Sequence, residues 1–207
     1  METFRFLMKK PLLVFLCFLL LFVVKAQEKK FQINFGADTG FSKTEINDQS
    51  IDASTSGIFL HLQYGISRYF SLESGLDYFI TQGNYISAGD SYFIENQYLN
   101  IPLGLRTKIG LGRNGESITD QKFTILIGAG LYTNYLMRSE LEHVDKQTNL
   151  GWNLGAYSKF ALHIQANDAF SLGAGIKGLY DFSDIEKDGL SVKQNRNVVY
   201  LDFGIRL

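Results

Sequence analysis

The stretch from Gly57 to Ile80 reads GIFLHLQYGISRYFSLESGLDYFI. On each side of the triplet SRY, apolar or aromatic residues alternate with a second set that contains Gly, His, Glu and Asp. Two runs with a period of two, joined by a short polar turn, predict a β-hairpin. Glycine and charged residues on one face suit the polar lumen of a membrane barrel and do not suit a buried protein core.

The same alternation recurs along the chain and predicts eight strands, at residues 31–41, 57–66, 70–80, 92–109, 122–137, 150–164, 170–182 and 198–207. Polar stretches between them predict long loops at residues 42–55, 83–91, 138–149 and 183–195, with a connection of intermediate length at 110–121. Pro102 lies inside the fourth strand and predicts a bulge or a missing ladder bond, because proline has no N–H to donate. The fold class is therefore all-β, an eight-stranded antiparallel up-and-down transmembrane β-barrel with its four long loops outside the cell.

The N-terminus has the organisation of a secretory signal peptide. Arg5, Lys9 and Lys10 precede an apolar run, and Val24 and Ala26 occupy the −3 and −1 positions of a cleavage site before residue 27. We expect a signal peptide at residues 1–26 and one outer-membrane barrel domain at residues 27–207.

Composition excludes several other classes of protein. The formal net charge is −1, which gives no basis for nucleic-acid binding. Cys17 is the only cysteine and lies in the expected signal peptide, so we expect neither disulfides nor thiolate chemistry in the mature chain.

The two faces of the strands distinguish a membrane barrel from a soluble, lipocalin-like one, which also has eight alternating strands. One face is almost free of charge, as a lipid-facing surface must be. The other face carries many glycines, which fit the crowded inside of a narrow barrel, together with a set of charged side chains. This predicted lumen charge network, assigned a structural role, comprises Asp38, His61, Glu73, Asp77, Arg106, Lys108, Lys159, His163, Lys177, Asp181, Asp202 and Arg206.

Isolated charges in a narrow lumen are costly, so we expect them to pair. The sequence suggests that Glu73 and Asp77 pair with Arg106 and Lys108 of the neighbouring strand and thereby plug the barrel.

Two segments resemble the PorT-like outer-membrane β-barrel family of Bacteroidota. They are GISRYFSLESGLDY at residues 65–78 and YLNIPLGLRTKIG at residues 98–110, in which Tyr98, Leu99, Ile101, Pro102, Leu103 and Lys108 are similar to the family's fourth-strand element. The resemblance implies a barrel in the cell outer membrane. It leaves the activity open, with association with a secretion machine as one role.

No catalytic, cofactor or metal site is expected. His61 and His163 share the inward parity, away from any lipid substrate, and the segment from Glu140 to Asp145 lacks a recognised metal-ligand spacing. We predict a non-enzymatic outer-membrane barrel, structural or partner-binding through its outer loops and in contact with outer-membrane lipid. It could also be accessory to a membrane or secretion complex. The alternatives are a small transport or lipid-modifying barrel and a soluble lipocalin-like ligand-binding barrel.

Overall fold

The computed structural model describes residues 31–46, 49–67, 69–87, 90–111, 122–141, 147–187 and 190–207. The strands run in chain order as β1 (Phe31–Ile46), β2 (Gln49–Gly65), β3 (Phe70–Ser87), β4 (Asp90–Gly110), β5 (Phe123–Leu141), β6 (Gln147–Gln165), β7 (Phe170–Asp181), β8 (Ile185–Lys187) and β9 (Leu190–Arg206). The expected signal peptide and most of the 110–121 connection lie outside the described residues. Within the described ranges, no helix is long and apolar enough to cross a membrane.

Eight long strands form a closed antiparallel barrel, because β1 pairs with both β2 and β9. One row of paired residues, followed around the wall, returns to β1 ten residues further along, at Phe41 instead of Phe31. A stagger of this size tilts the strands by about 40° from the barrel axis. The row passes through Phe31, Tyr64, Leu72, Leu105, Ala129, Ser158, Gly178, Asn197 and Phe41.

The predicted hairpin around residues 67–69 is present, with Gly65 paired to Ser71. The turn is closed by the backbone N–H of Ile66, which donates to the carbonyl of Phe70 over 2.9 Å. The hydroxyl of Ser67 accepts from the backbone N–H of Phe70 over 3.1 Å. Asn167 holds the second short turn in the same way, since its side-chain oxygen accepts from Phe170 N over 2.9 Å. Local acceptors of this kind explain why both connections are short.

The two faces of the membrane-spanning part are oriented as predicted. Large apolar side chains point outward and are exposed along the lower part of every long strand, for example Leu60, Leu103, Leu131 and Leu201. The outward apolar run of β2 begins at Ile58 and continues to Ile66 just after the strand, which is close to the roughly nine to eleven residues that a tilted strand needs to cross a bilayer. The short turns and both described chain ends lie at one end of the barrel, which is the end that outer-membrane barrels direct toward the periplasm and which we call the periplasmic end.

The prediction of four long outer loops is wrong, because the strands continue through most of the residues assigned to them. Residues 42–46 pair with 49–53, and 83–87 pair with 90–94, so only short tips remain between the strands. We call this part of the barrel above the lipid-facing band the outer extension. It consists of residues 42–46, 49–56, 82–87, 90–97, 137–141, 147–150, 185–187 and 190–197.

The wall of the outer extension is interrupted between β6 and β8. Strand β7 ends at Asp181, and the short strand β8, which the sequence did not predict, pairs only with β9 in the described part of the chain. Above Gly155, β6 therefore has a ladder with β5 but none with β8. The side chain of Ile185 covers this seam, with its Cγ2 atom 3.5 Å from where a Cβ of Gly151 would stand.

Pro102 interrupts one ladder, as the sequence suggested. Pairing between β3 and β4 stops after Ser74 with Leu103 and resumes at Asp77 with Asn100 in the same register. The hydroxyl of Ser74 donates to the carbonyl of Pro102 over 2.8 Å. The register shift lies elsewhere, at Met137 of β5, which is left over between two successive pairs with β4.

Candidate functional site

All twelve charged residues expected in the lumen lie on the inner face of the barrel. Ten of them are buried, and Lys108 and Arg206, near the periplasmic end, are partly buried. The lumen is therefore occupied by charged side chains for most of its length.

Glu73 is the centre of the lower network. The carboxylate is fully buried, and its Oε2 atom accepts from Arg106 Nη1 over 2.8 Å. Its Oε1 atom accepts from Lys159 Nζ, which reaches across from β6 on the far side of the lumen. Two cations on one carboxylate offset the cost of removing all three groups from water.

Asp77 is the centre of a second network nearer the outer end. His61 Nε2 lies 2.6 Å from its Oδ1 atom, and Lys177 Nζ lies 3.1 Å from its Oδ2 atom. Lys177 also contacts Asp38 Oδ2 at 3.0 Å, which ties β7 to β1 and β3.

The pair that the sequence suggested between Glu73 and Arg106 is present, but the other expected pairs are wrong. Asp77 is held by Lys177 and His61, and no carboxylate in the described ranges lies within 4.0 Å of the Lys108 ammonium. The reason is geometric. In the ladder between β3 and β4, Asp77 stands opposite Asn100, eight residues before Lys108, so Lys108 is out of its reach along the wall, whereas Lys177 reaches it across the narrow lumen.

His61 joins the two networks into one. Its Nδ1 atom lies 3.7 Å from Glu73 Oε1, while its Nε2 atom contacts Asp77. The connected chain of groups belongs to six of the eight long strands and crosses the lumen twice. Glycine makes room for it, since a Cβ on Gly128 would lie 3.0 Å from the side chain of Lys159 and 3.2 Å from that of Arg106.

Asp181 is buried without a cation within 4.0 Å among the described residues and is held by neutral donors. It accepts from Tyr132 Oη over 2.5 Å, from Asn153 Nδ2 over 2.7 Å and from the backbone N–H of Gln194 over 2.8 Å. These bonds join β5, β6 and β9 to the end of β7, at the base of the seam. His163 and Asp202 form a separate contact of 3.2 Å near the periplasmic end.

Sequence reasoning missed Arg196, which lies in the lumen between the predicted loop at 183–195 and the predicted strand at 198–207. Its side chain is buried, with the guanidinium carbon 3.2 Å from the centre of the Phe79 ring. The signal was present, because Val192, Gln194, Arg196 and Val198 continue the inward parity of β9.

An apolar core closes the outer end of the lumen. It is formed by the buried side chains of Phe79, Tyr98, Leu136, Ile185 and Val192, with Ile46 packed against them. The Phe79 and Tyr98 rings stack with their centres 4.8 Å apart.

The outer face of the same region is polar. Lys43, Asp52 and Ser54 are exposed there, and Arg138 pairs with Glu140. Hydrogen bonds from Gln82 and Gln97 lower the pKa of Glu95.

Both strand histidines contact lumen carboxylates, and in the described ranges no group of three or more His, Cys, Asp or Glu side chains is placed to hold a metal ion. The acidic segment after Leu141 lies outside the described residues.

An inward polar network and an outward apolar band define an integral barrel of the outer-membrane type. The chain belongs to the family described as outer membrane protein beta-barrel domain, whose model matches residues 13–203. The protein is thus located in the outer membrane, and the alternative of a soluble lipocalin-like barrel is wrong.

Two solved structures have the same fold. Neisserial surface protein A is 13% identical with a TM-score of 0.50, and the match covers 86% of this chain and 97% of that one. The outer membrane protein OprG from Pseudomonas aeruginosa is 14% identical with a TM-score of 0.56, and the match covers 86% of this chain and 95% of that one. No curated protein sequence matches the chain.

Proposed function

We propose that the protein is a non-enzymatic, non-conducting outer-membrane barrel that presents its outer extension to a partner protein. The observation that carries the proposal is the apolar core at the outer end, above two levels of ion pairs that cross the lumen. A solute would have to break both. The extension is a folded β-structure with a polar outer face, which suits a recognition surface held in fixed geometry.

The resemblance to PorT-like proteins favours a partner within a membrane or secretion complex. Transport or lipid modification is less well supported, because both strand histidines are buried in the filled lumen, away from lipid. Recognition would use the paired strands of the outer extension, which differs from the outer loops that the sequence suggested.

Site-specific photo-cross-linking in intact cells tests the proposal. A photo-reactive residue in place of Ser54, on the outer face of the extension, should give a discrete protein adduct. The matched control is the same residue in place of Ser158, which faces the lipid on β6 and should give none. Adducts at Ser158 alone, or at neither position, would count against a partner at the extension.

Single-channel recording tests the closed lumen separately. The purified barrel in a planar bilayer should show no current steps under conditions in which a porin does. Regular steps from the wild-type protein would show that the ion-paired lumen opens and would favour the transport alternative.

A further inference from the structure

Lys177 carries a primary amine that is held between two carboxyl groups in the lumen. Its Nζ atom lies 3.0 Å from Asp38 Oδ2 and 3.1 Å from Asp77 Oδ2, and these three side chains are at most 5% exposed. The ring of Phe59 lies beside the amine, with its centre 5.3 Å from Nζ. The fold thus holds a nucleophile and two carboxyl groups in contact and shields all three from solvent.

The two carboxyl groups differ in their other partners. Asp77 Oδ2 accepts from Asn100 Nδ2 over 3.2 Å, and Asp77 Oδ1 lies 2.6 Å from His61 Nε2. Asp38 Oδ1 is buried, and no hydrogen-bond partner for it is found among the described residues. Both oxygens of Asp77 are therefore engaged by other side chains, whereas Asp38 depends on Lys177.

A glycine leaves space beside the Asp38 carboxyl group. Asp38 stands opposite Gly57 in the ladder between β1 and β2, and a Cβ atom on Gly57 would lie only 2.9 Å from Asp38 Oδ1. Any larger residue at position 57 would take the space that the carboxyl carbon needs to become tetrahedral when a nucleophile adds to it. A reaction between Lys177 and Asp38 requires no further cavity, because both reactants are already in contact.

We propose that the Lys177 amine and the Asp38 carboxyl group condense to an amide, a covalent cross-link between β7 and β1, with Asp77 as the proton carrier. Asp77 takes a proton from the ammonium group, and Nζ then attacks Cγ of Asp38. Asp77 returns that proton to the leaving oxygen, a second proton moves there from Nζ, and the C–O bond breaks to release one water. An ammonium and a carboxylate thus become an amide and water, with no net change in protons.

Two properties of the site favour the reaction. Reactants held in contact behave as if they were at a concentration of about 10⁵–10⁸ M when their orientation is good. The amide also removes two charges from the lumen, where charged groups are costly to keep away from water. The contact between Lys159 and Glu73 differs, because Arg106 binds the other oxygen of that carboxylate. Within the described ranges, no second carboxyl group lies within 4.0 Å of Lys159 Nζ to carry the proton.

Mass spectrometry of the refolded barrel tests the cross-link, with the same chain kept unfolded in urea as the reference. The wild-type chain should lose about 18 Da, the mass of one water, and trypsin should release residues 31–43 joined to residues 160–187. Lys177→Arg keeps the positive charge but has no primary amine, so it should fold and keep the full mass. The matched control is Lys43→Arg on the outer face of the extension, which should lose the water as the wild type does.

The rate at which the mass falls after refolding tests the role of Asp77. Asp77→Asn cannot carry the proton, so the loss of water should slow by about 10²–10⁴-fold, the usual contribution of a general acid–base group. An unchanged rate would contradict that role. Full mass in the folded wild type, or loss of water in Lys177→Arg, would overturn the cross-link. Gel migration before and after boiling shows whether each variant folds, and the wild-type mass and the joined peptide decide the question without any variant.

Discussion

Along β2 the inward side chain changes from His61 in the membrane-spanning part to Ile51 in the outer extension, while the outward side chain changes from Leu60 to Asp52. Strand β2 thus carries two opposite distributions of polarity. The membrane-spanning part has a polar inside and an apolar outside. The outer extension has a polar outside, and its inside combines buried apolar side chains such as Ile51 and Val192 with polar side chains that bond to one another, such as Gln194 and Thr44.

The difference follows from the solvent that each part faces. Burying apolar groups is favourable only where water would otherwise cover them, which holds for the outer extension. In the bilayer the lipid is as apolar as leucine, so an apolar lumen would gain little, and the interior can be filled by paired charges. Stability in the two regions should therefore depend on different residues.

The largest effect is expected from Glu73→Gln. The change leaves Arg106 and Lys159 buried without their shared counter-charge, and losing one partner of a buried pair costs about 3–5 kcal/mol. The measurement is the free energy of unfolding in lipid vesicles, by denaturant titration. The control is Glu95→Gln on the outer face, which should change stability little because its partners are two glutamine amides near water. Similar losses in both variants would show that the lumen network contributes no more than a surface contact.

The next effect tests the apolar core at the outer end of the lumen with two leucines of one strand. Leu136 is fully buried in that core, and Leu131 is 60% exposed on the lipid-facing side of β5. Leu136→Ala should destabilise by about 2–5 kcal/mol, because it leaves a cavity among rigid neighbours. Leu131→Ala should cost less, because lipid chains adjust to the smaller side chain.

Amide hydrogen exchange shows which part of the barrel loses stability in the Leu136→Ala variant. Faster exchange confined to amides of the outer extension is expected, with the membrane-spanning amides unchanged. Loss of protection throughout the barrel would mean that the membrane-spanning part and the outer extension unfold as one unit. The two regions would then differ in amino-acid composition but not in stability.

The membrane-spanning part was predictable because its alternation is strong. Leu60, Leu62 and Tyr64 stand against His61 and Gln63, and a contrast of this kind fixes both the strand and its face. Assigning residues to the lumen required nothing beyond this parity.

The outer extension was missed because its contrast is weak and inverted. Ile51 and Ala53 alternate with Asp52 and Ser54, but serine, threonine and aspartate are also the residues of loops. Pairing across the lumen was out of reach for another reason. Parity gives the face of a side chain but not its height along the axis, so the contact between Glu73 and Lys159 depends on the stagger of the closed barrel.

The last prediction places the same new charge on the outward face of both regions. Leu60 and Ser54 lie on β2 with the same outward parity, Leu60 near the middle of the apolar band and Ser54 in the outer extension. Leu60→Lys should cost about 2–4 kcal/mol, the value for lysine at the bilayer midplane of a barrel, and Ser54→Lys should cost about 0–1 kcal/mol. Denaturant titration in lipid vesicles measures both.

Intermediate positions sharpen this comparison. Lysine at Ile58 and at Ser56 should give costs that fall steadily from the Leu60 value toward the Ser54 value, because the penalty depends on depth. The position at which the cost becomes negligible marks where lipid gives way to water on β2. A Ser54→Lys penalty as large as that of Leu60→Lys would mean that the extension is immersed in lipid, and its apolar core would then need a different explanation from burial away from water.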